Sequence, residues 1–275
     1  MPVIATNTSA NSALIYLNKN SAAQDKSLSK LASGSRIVRA SDDAAGLAVG
    51  SALKADVTTL KQAATNAVQA RSVLQTADGA LARVGDILQR MKSLATQSIS
   101  GSVADTGGRD FIDAEYQQLV SEISDIANQT KFNGEALLDG TYNGTKAEFQ
   151  VGIEATDVIE ADLSAIDITG LNISANSSVD TAADAANASS DLDSDIDTVS
   201  EGRAKIGAYL SRFEYRGDVI NSSIENLEAA QSSIMDVDIA SEQTNFVSKQ
   251  VLTEASIAAL SQANQMKSSL LSLVR

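Results

Sequence analysis

Histidine, cysteine and tryptophan are all missing from this 275-residue sequence, and proline occurs once, at Pro2. Without histidine or cysteine the chain lacks the usual general base near neutral pH, the thiol nucleophile, the commonest zinc ligands and any disulfide. Most enzyme classes are excluded on that ground, and no phosphate-cradling glycine loop or nucleophile motif restores one. The lack of cysteine suits a reducing cytosol and equally an exported protein that must not be cross-linked in transit. Aromatic residues are only 4% of the chain, and with no interior proline nothing breaks a long helix on proline grounds. The N-terminus has no basic stretch leading into an apolar core, so a cleaved signal peptide is not indicated, and no apolar run approaches membrane-spanning length. A net charge of −14 argues against a nucleic-acid partner, because phosphate backbones are bound by basic surface. No cofactor and no membrane partner is expected.

What the chain does have is apolar periodicity. Leu192, Ile196, Val199, Ile206, Leu210, Phe213, Ile220, Ile224, Leu227 and Ile234 recur at alternating steps of three and four, interrupted only by Arg203, Gly217 and Gln231. A 3.5-residue repeat held this long predicts a helix of roughly 65 Å with one stripe against partner helices. The fold expected is mainly α, a long antiparallel coiled-coil or helical rod with a small β-hairpin region.

Residues 4–33 read as a helix with a weak seam, Leu14, Leu17, Leu28 and Leu31, with Ser21 and Gln24 between them; Gly34 is a plausible stop. Such a helix buries little apolar surface alone. Ser41-Asp42-Asp43 reads as a helix start with Ser41 as N-cap and two carboxylates favoured by the helix dipole. From Ala44 to about Ser98 a second long helix carries Leu53, Val57, Leu60, Ala64 and Ala67, then a shifted seam of Val73, Ala77, Ala80, Val84, Ile87, Met91 and Leu94. A third spans about Asp110 to Asn128, with Ile112, Tyr116, Leu119, Ile123 and Ile126 in register. Asn133-Gly134, Asp139-Gly140 and Asn143-Gly144 are turn signals, and Ala147 to Ile153 reads as a strand. Residues 172–190 have low complexity and read as a short surface linker. Asp191, Asp193 and Asp195 have the spacing of the first calcium-loop ligands, but Ile196 stands where glycine is needed and Gly202 where glutamate is needed. Residues 238–275 form a last amphipathic helix whose seam is Leu252, Ala259, Ala263, Met266, Leu270 and Leu273. The domain divisions that follow are 1–40, 41–171, 172–190, 191–237 and 238–275.

Several short words in this order are distinctive. Ser33-Gly34-Ser35-Arg36-Ile37 with Ser41-Asp42-Asp43-Ala44-Ala45-Gly46-Leu47-Ala48 resembles the N-terminal signature of bacterial flagellins. So do Leu88-Gln89-Arg90-Met91-Lys92-Ser93-Leu94-Ala95-Thr96-Gln97-Ser98, Thr130-Lys131-Phe132-Asn133-Gly134, and Ala263-Asn264-Gln265 with Leu270-Leu271-Ser272-Leu273.

The resemblance implies a structural subunit of the flagellar filament, secreted and extracellular, that polymerises with copies of itself and serves swimming motility. It implies that the terminal segments 1–40 and 238–275 pair as a coiled coil lining an inner tube, and that the long helices form the next shell. The linker at 172–190 would stand where other flagellins insert outer domains. Implied partners are the flagellar export apparatus and a chaperone, hook-filament junction proteins and a filament cap. Gln89, Arg90, Leu94 and Glu115 fall on the family's intersubunit patch, which is also the patch read by the vertebrate innate flagellin receptor. The chain departs from the family pattern at Ser93, where an acidic residue is usual, so packing between subunits is the preferred role. A hook-filament junction protein shares the terminal pattern but usually diverges in the 41–48 and 88–98 words. A signalling rod shares the heptads, yet the glycine-rich, strand-like stretch at 101–170 counts against it.

Overall fold

The computed structural model describes residues 6–102, 107–140, 146–162, 168, 171–172 and 178–273, with side chains described as far as Ser269. The elements in order are α1 (Thr8–Ser33), α2 (Ala44–Ile99), α3 (Gly108–Gln129), β1 (Lys131–Phe132), β2 (Glu135–Ala136), β3 (Ala147–Gln150), β4 (Val158–Ala161), α4 (Ala182–Met235) and α5 (Ile239–Leu273). Two compact units emerge. One combines Met1–Val57 with Glu225–Arg275, and the other is Thr58–Ile224.

The boundaries follow local chemistry. Asn7 caps α1 by accepting from the Ala10 amide at 3.0 Å, and Gly34 ends it in the left-handed region at φ 68°, where a side chain would be strained. The cap of α2 is Asp43 rather than Ser41: its Oδ1 accepts from the Gly46 amide at 2.9 Å. Asp42 instead closes the preceding loop, accepting from the Arg39 amide at 3.2 Å and meeting Lys26 Nζ at 2.7 Å. Asn133 and Gly134, at φ 51° and 88°, form the tight turn between β1 and β2 that an Asn-Gly pair favours. β3 and β4 pair antiparallel, Ala147 opposite Ala161 and Gln150 opposite Val158. The Asn143-Gly144 turn signal lies outside the described residues.

In the unit Thr58–Ile224 the core is one uninterrupted heptad seam on α2: Leu60, Ala63, Ala67, Ala70, Leu74, Ala77, Leu81, Val84, Leu88, Met91, Ala95 and Ser98 are all buried. The shift of seam expected from the sequence does not occur; the leucines flanking the expected stripe are the stripe. On α4 the buried line is Ala185, Ala188, Leu192, Asp195, Val199, Gly202, Ile206, Phe213 and Ile220. Five expected positions, Leu192, Val199, Ile206, Phe213 and Ile220, are on this line, Leu210, Ile224, Leu227 and Ile234 are half-buried, and Asp195 is inside in place of the expected Ile196, which lies at the edge of the seam. Asp195 is accommodated because its Oδ1 accepts from the Asn172 backbone amide at 2.9 Å and side-chain amide at 3.1 Å. It is a helical anchor for a loop, and among the described residues no three acidic side chains come together as a metal-holding cluster. α4 also begins at Ala182 with Ala185 and Ala188 buried, so the expected linker at 172–190 is corrected to end before that helix. Small alanines carry the seam there, which is why the stretch reads as featureless in sequence.

α3 is seated on this core by Ile112, Tyr116, Ile123 and Ala127. Buried Arg109 donates from Nε to the Ser98 carbonyl at 2.8 Å, tying its first turn to the end of α2. The β3–β4 hairpin rests on α4 through an edge-to-face contact of Phe149 with Phe213, ring centres 5.5 Å apart. Asn66 Nδ2 reaches the Gln150 carbonyl at 3.2 Å and Arg216 Nε the Val151 carbonyl at 3.2 Å, so α2 and α4 both hold the hairpin. Two cross-helix ion pairs, Arg203 with Asp78 at 3.0 Å and Lys92 with Asp193, run antiparallel along α2 and α4.

Candidate assembly surface

In the unit built from the two chain ends, α1 and α5 run antiparallel. Asn7 Nδ2 donates to the Ala263 carbonyl at 3.1 Å, Asn20 Nδ2 to Ser256 Oγ at 3.5 Å, and Lys30 meets Glu242 at 3.7 Å. The loop after α1 is laced to the turn before α5. The Arg36 amide donates to the Met235 carbonyl at 2.6 Å, the Val237 amide to Gly34 O at 3.1 Å, and the Arg36 guanidinium to Ile234 O at 2.8 and 3.0 Å. The opening turns of α2 lie so close to this turn that a Cβ at Gly50 would stand 2.6 Å from Met235 Sδ.

Most side chains between the two terminal helices are small or polar, with Leu17, Leu31, Phe246 and Leu260 as the large apolar members. From α1 the covered line is Ala10, Ala13, Leu17, Asn20, Gln24, Ser27 and Leu31; from α5 it is Glu242, Phe246, Lys249, Thr253, Ser256, Leu260, Ala263 and Lys267. Both lines keep the alternating three and four spacing. Short side chains let the backbones approach closely, with Cα atoms of the two helices within 8 Å of one another along the pair.

This differs from the seam expected from apolar residues alone. Leu17, Leu31 and Ala263 do face the partner helix, but Leu14, Leu28, Leu252, Ala259 and Met266 point away from it. Leu28 is 53% exposed, Leu252 43% and Met266 52%, in company with Ile15, Tyr16, Ile239, Val247, Val251 and Ile257. The side chains of Leu270 and Leu273 lie outside the described residues. Apolar counting misses the true line because its members at Asn20, Gln24, Ser27, Thr253 and Ser256 are polar; the spacing of Phe246, Thr253, Leu260 and Lys267 by sevens is the signal that could have found it.

The expected patch on α2 and α3 is assembled only in part. Arg90 donates from Nε at 2.9 Å and from Nη2 at 2.6 Å to Glu115 Oε1 across the two helices, and both side chains stay about half exposed. Gln89 is exposed beside them. Leu94 is not part of that surface: at 2% exposure it belongs to the seam inside the unit, because the α2 line reaches it at the same phase as Met91 and Ala95.

Two family descriptions match the chain, the N-terminal helical region of bacterial flagellin over residues 4–143 and its C-terminal helical region over residues 189–274. The chain belongs to the bacterial flagellin family. It is 39% identical to flagellin of Halalkalibacterium halodurans over 91% of each chain, and 37% identical to flagellin of Bacillus subtilis over 98% of each. Among solved structures it resembles Bacillus cereus flagellin with a TM-score of 0.52 and 32% identity, over 61% of this chain and 94% of that one. Flagellins are structural proteins and not enzymes, and the chain is a structural subunit of the flagellar filament, which is extracellular. The family also supports self-polymerisation of this flagellin into the filament.

Proposed function

We propose that this flagellin builds the filament by burying the outward apolar faces of α1 and α5 against neighbouring copies, with folding of the two ends coupled to that burial. The observation that carries the reading is the inversion in the terminal unit: Leu14, Leu28, Val251, Leu252 and Ile257 face solvent while Ser27, Thr253 and Ser256 sit in the seam. A seam in which polar and small residues outnumber Leu17, Leu31, Phe246 and Leu260 releases less free energy than an apolar one, and a pair so held is marginal without neighbours. The inner-tube segments are 1–40 and 238–275, of which 6–40 and 238–273 are largely disordered in dilute subunits, and 41–171 with 182–237 form the shell around them. Disorder in the free subunit suits passage through a narrow export channel, with a chaperone before it and junction proteins and a cap beyond it.

Gln89 and the Arg90–Glu115 pair present a polar surface to a neighbouring subunit, and the same surface is what a vertebrate innate receptor would meet. Electron microscopy of the full chain beside one cut after Asp238 tests the main reading. Hollow filaments from the full chain and monomers from the shortened one are expected. Filaments from both would remove the C-terminal helix from the mechanism, and strongly protected amides across residues 6–40 and 238–269 in dilute subunits would remove the coupling of folding to assembly.

A further inference from the structure

In the unit Thr58–Ile224 several large apolar side chains stay exposed, Val68, Tyr215 and Val219 among them, and one exceeds the rest. Phe111, on the first turn of α3, is 79% exposed, more than any other large apolar residue described. Asp110 precedes it, its carboxylate accepting from the Gly107 amide at 3.2 Å, and Glu115, paired with Arg90, lies one turn on, so Asp110 is the acidic neighbour of the ring. Elsewhere in the same unit the β3–β4 hairpin and α4 enclose an open groove of about 360 Å³. Buried Val151 and Ile159 form its floor, Val158, Tyr215 and Val219 its apolar walls, and Arg212 its rim. Among the described residues Arg212 has neither an ion-pair nor a hydrogen-bond partner, while its neighbour Arg216 is held by Asp157 at 3.4 Å.

The ring and the groove are far apart. The groove is pinned to α2 at Asn66, through Gln150, and the start of α3 is pinned to α2 at Ser98, through Arg109. Thirty-two residues of continuous helix separate those two points, about 48 Å at 1.5 Å per residue. One chain thus carries an aromatic projection with an acidic neighbour at one end of a unit, and an apolar groove with an unpaired arginine at the other.

We infer that Phe111 of one copy seats in the Val151–Val158–Tyr215–Val219 groove of the next, with Asp110 facing Arg212. The occupant is a second copy because the projection and the groove are both apolar, because Asp110 and Arg212 are opposite in charge, and because a projection and a socket at opposite ends of one unit make a contact that repeats without closing. An aromatic anchor in a desolvated pocket ringed by charge is also the usual form of an energetically dominant contact. The inference rests on the filament reading above and adds the direction of stacking to it.

The absence of cysteine makes the test clean. The full chain carrying both Phe111→Cys and Val219→Cys is assembled and then oxidised. Disulfide formation needs Cα atoms within about 7 Å, so these two positions cannot join within one chain. A ladder of covalent multimers is expected, and none from either single variant. Filaments that form normally and give no ladder overturn this contact while leaving the filament reading in place. Failure of the unsubstituted chain to form filaments removes both. As a second readout, Phe111→Ala should raise the critical concentration for assembly about tenfold or more with no change in the thermal unfolding of the subunit. An unchanged critical concentration would overturn the contact.

Discussion

The terminal helix pair and the unit Thr58–Ile224 use the same 3.5-residue repeat in opposite senses. Around α2, α3 and α4 the buried line is mostly leucine, alanine, Tyr116 and Phe213, with Ser98 and Asp195 as polar exceptions; between α1 and α5 Asn20, Ser27, Thr253 and Ser256 share the seam with Leu17, Leu31 and Leu260, while Leu14, Leu28 and Leu252 are outside. The first arrangement is complete within one chain. The second leaves its largest source of stabilising free energy to be realised against other chains, which ties the order of the termini to assembly. A heptad repeat by itself does not say which of these a helix will do.

Substitutions that break this contrast should separate the two regions. The largest effect is expected at Phe213, where Phe213→Ala removes the edge-to-face contact with Phe149 and opens the core, at a cost of about 3–5 kcal/mol in subunit unfolding by denaturant. Leu252→Ala is of similar chemistry in the other region. It should leave unfolding of the dilute subunit within about 0.5 kcal/mol of the parent. It should weaken assembly by about 1.5–3 kcal/mol, read as a rise of tenfold or more in critical concentration. Equal losses of subunit stability from both substitutions would erase the distinction.

The smallest effect concerns pH at the loop joining α1 to α2. Lys26, hydrogen-bonded to Asp42, holds that carboxyl below the usual aspartate range, assisted by the Arg39 and Val38 amides. A carboxyl group whose folded value is lowered contributes stability above its unfolded value and loses it as pH falls through the folded value. In assembled filaments, protection of the amides of Val38 and Arg39 should therefore weaken only below the ordinary aspartate range, and Asp42→Asn should abolish that pH dependence. A loss of protection already complete near neutral pH would contradict the assignment.

Much was legible in the residues before any coordinate. The helix end at Gly34, the Asn133-Gly134 hairpin, and the extents of α2, α3 and α5 within a few residues all follow from local chemistry, since caps, positive φ and uninterrupted periodicity act over a few residues. The same holds for the absence of catalytic groups and for the family words at 33–48, 88–98 and 130–134. The start of α4 was less visible, because Ala185 and Ala188 bury as much as their position asks while looking like linker composition. Among the site residues, Arg90 and Glu115 lie side by side as an ion pair, whereas Leu94, expected on the same surface, is buried inside the unit.

What the sequence determined by itself is therefore the set of helices, their limits and the existence of a repeating seam. What only the tertiary structure decided is the phase of each seam: Ser27 in and Leu28 out on α1, Leu88 in and Gln89 out on α2, Asp195 in and Ile196 at the edge on α4. Adjacent residues on a helix are about 100° apart, so two neighbouring stripes can both satisfy the heptad spacing. The choice between them depends on how closely the partner backbone can approach and which hydrogen-bond partners it brings, as Asn172 does for Asp195, and neither quantity is a property of the helix alone.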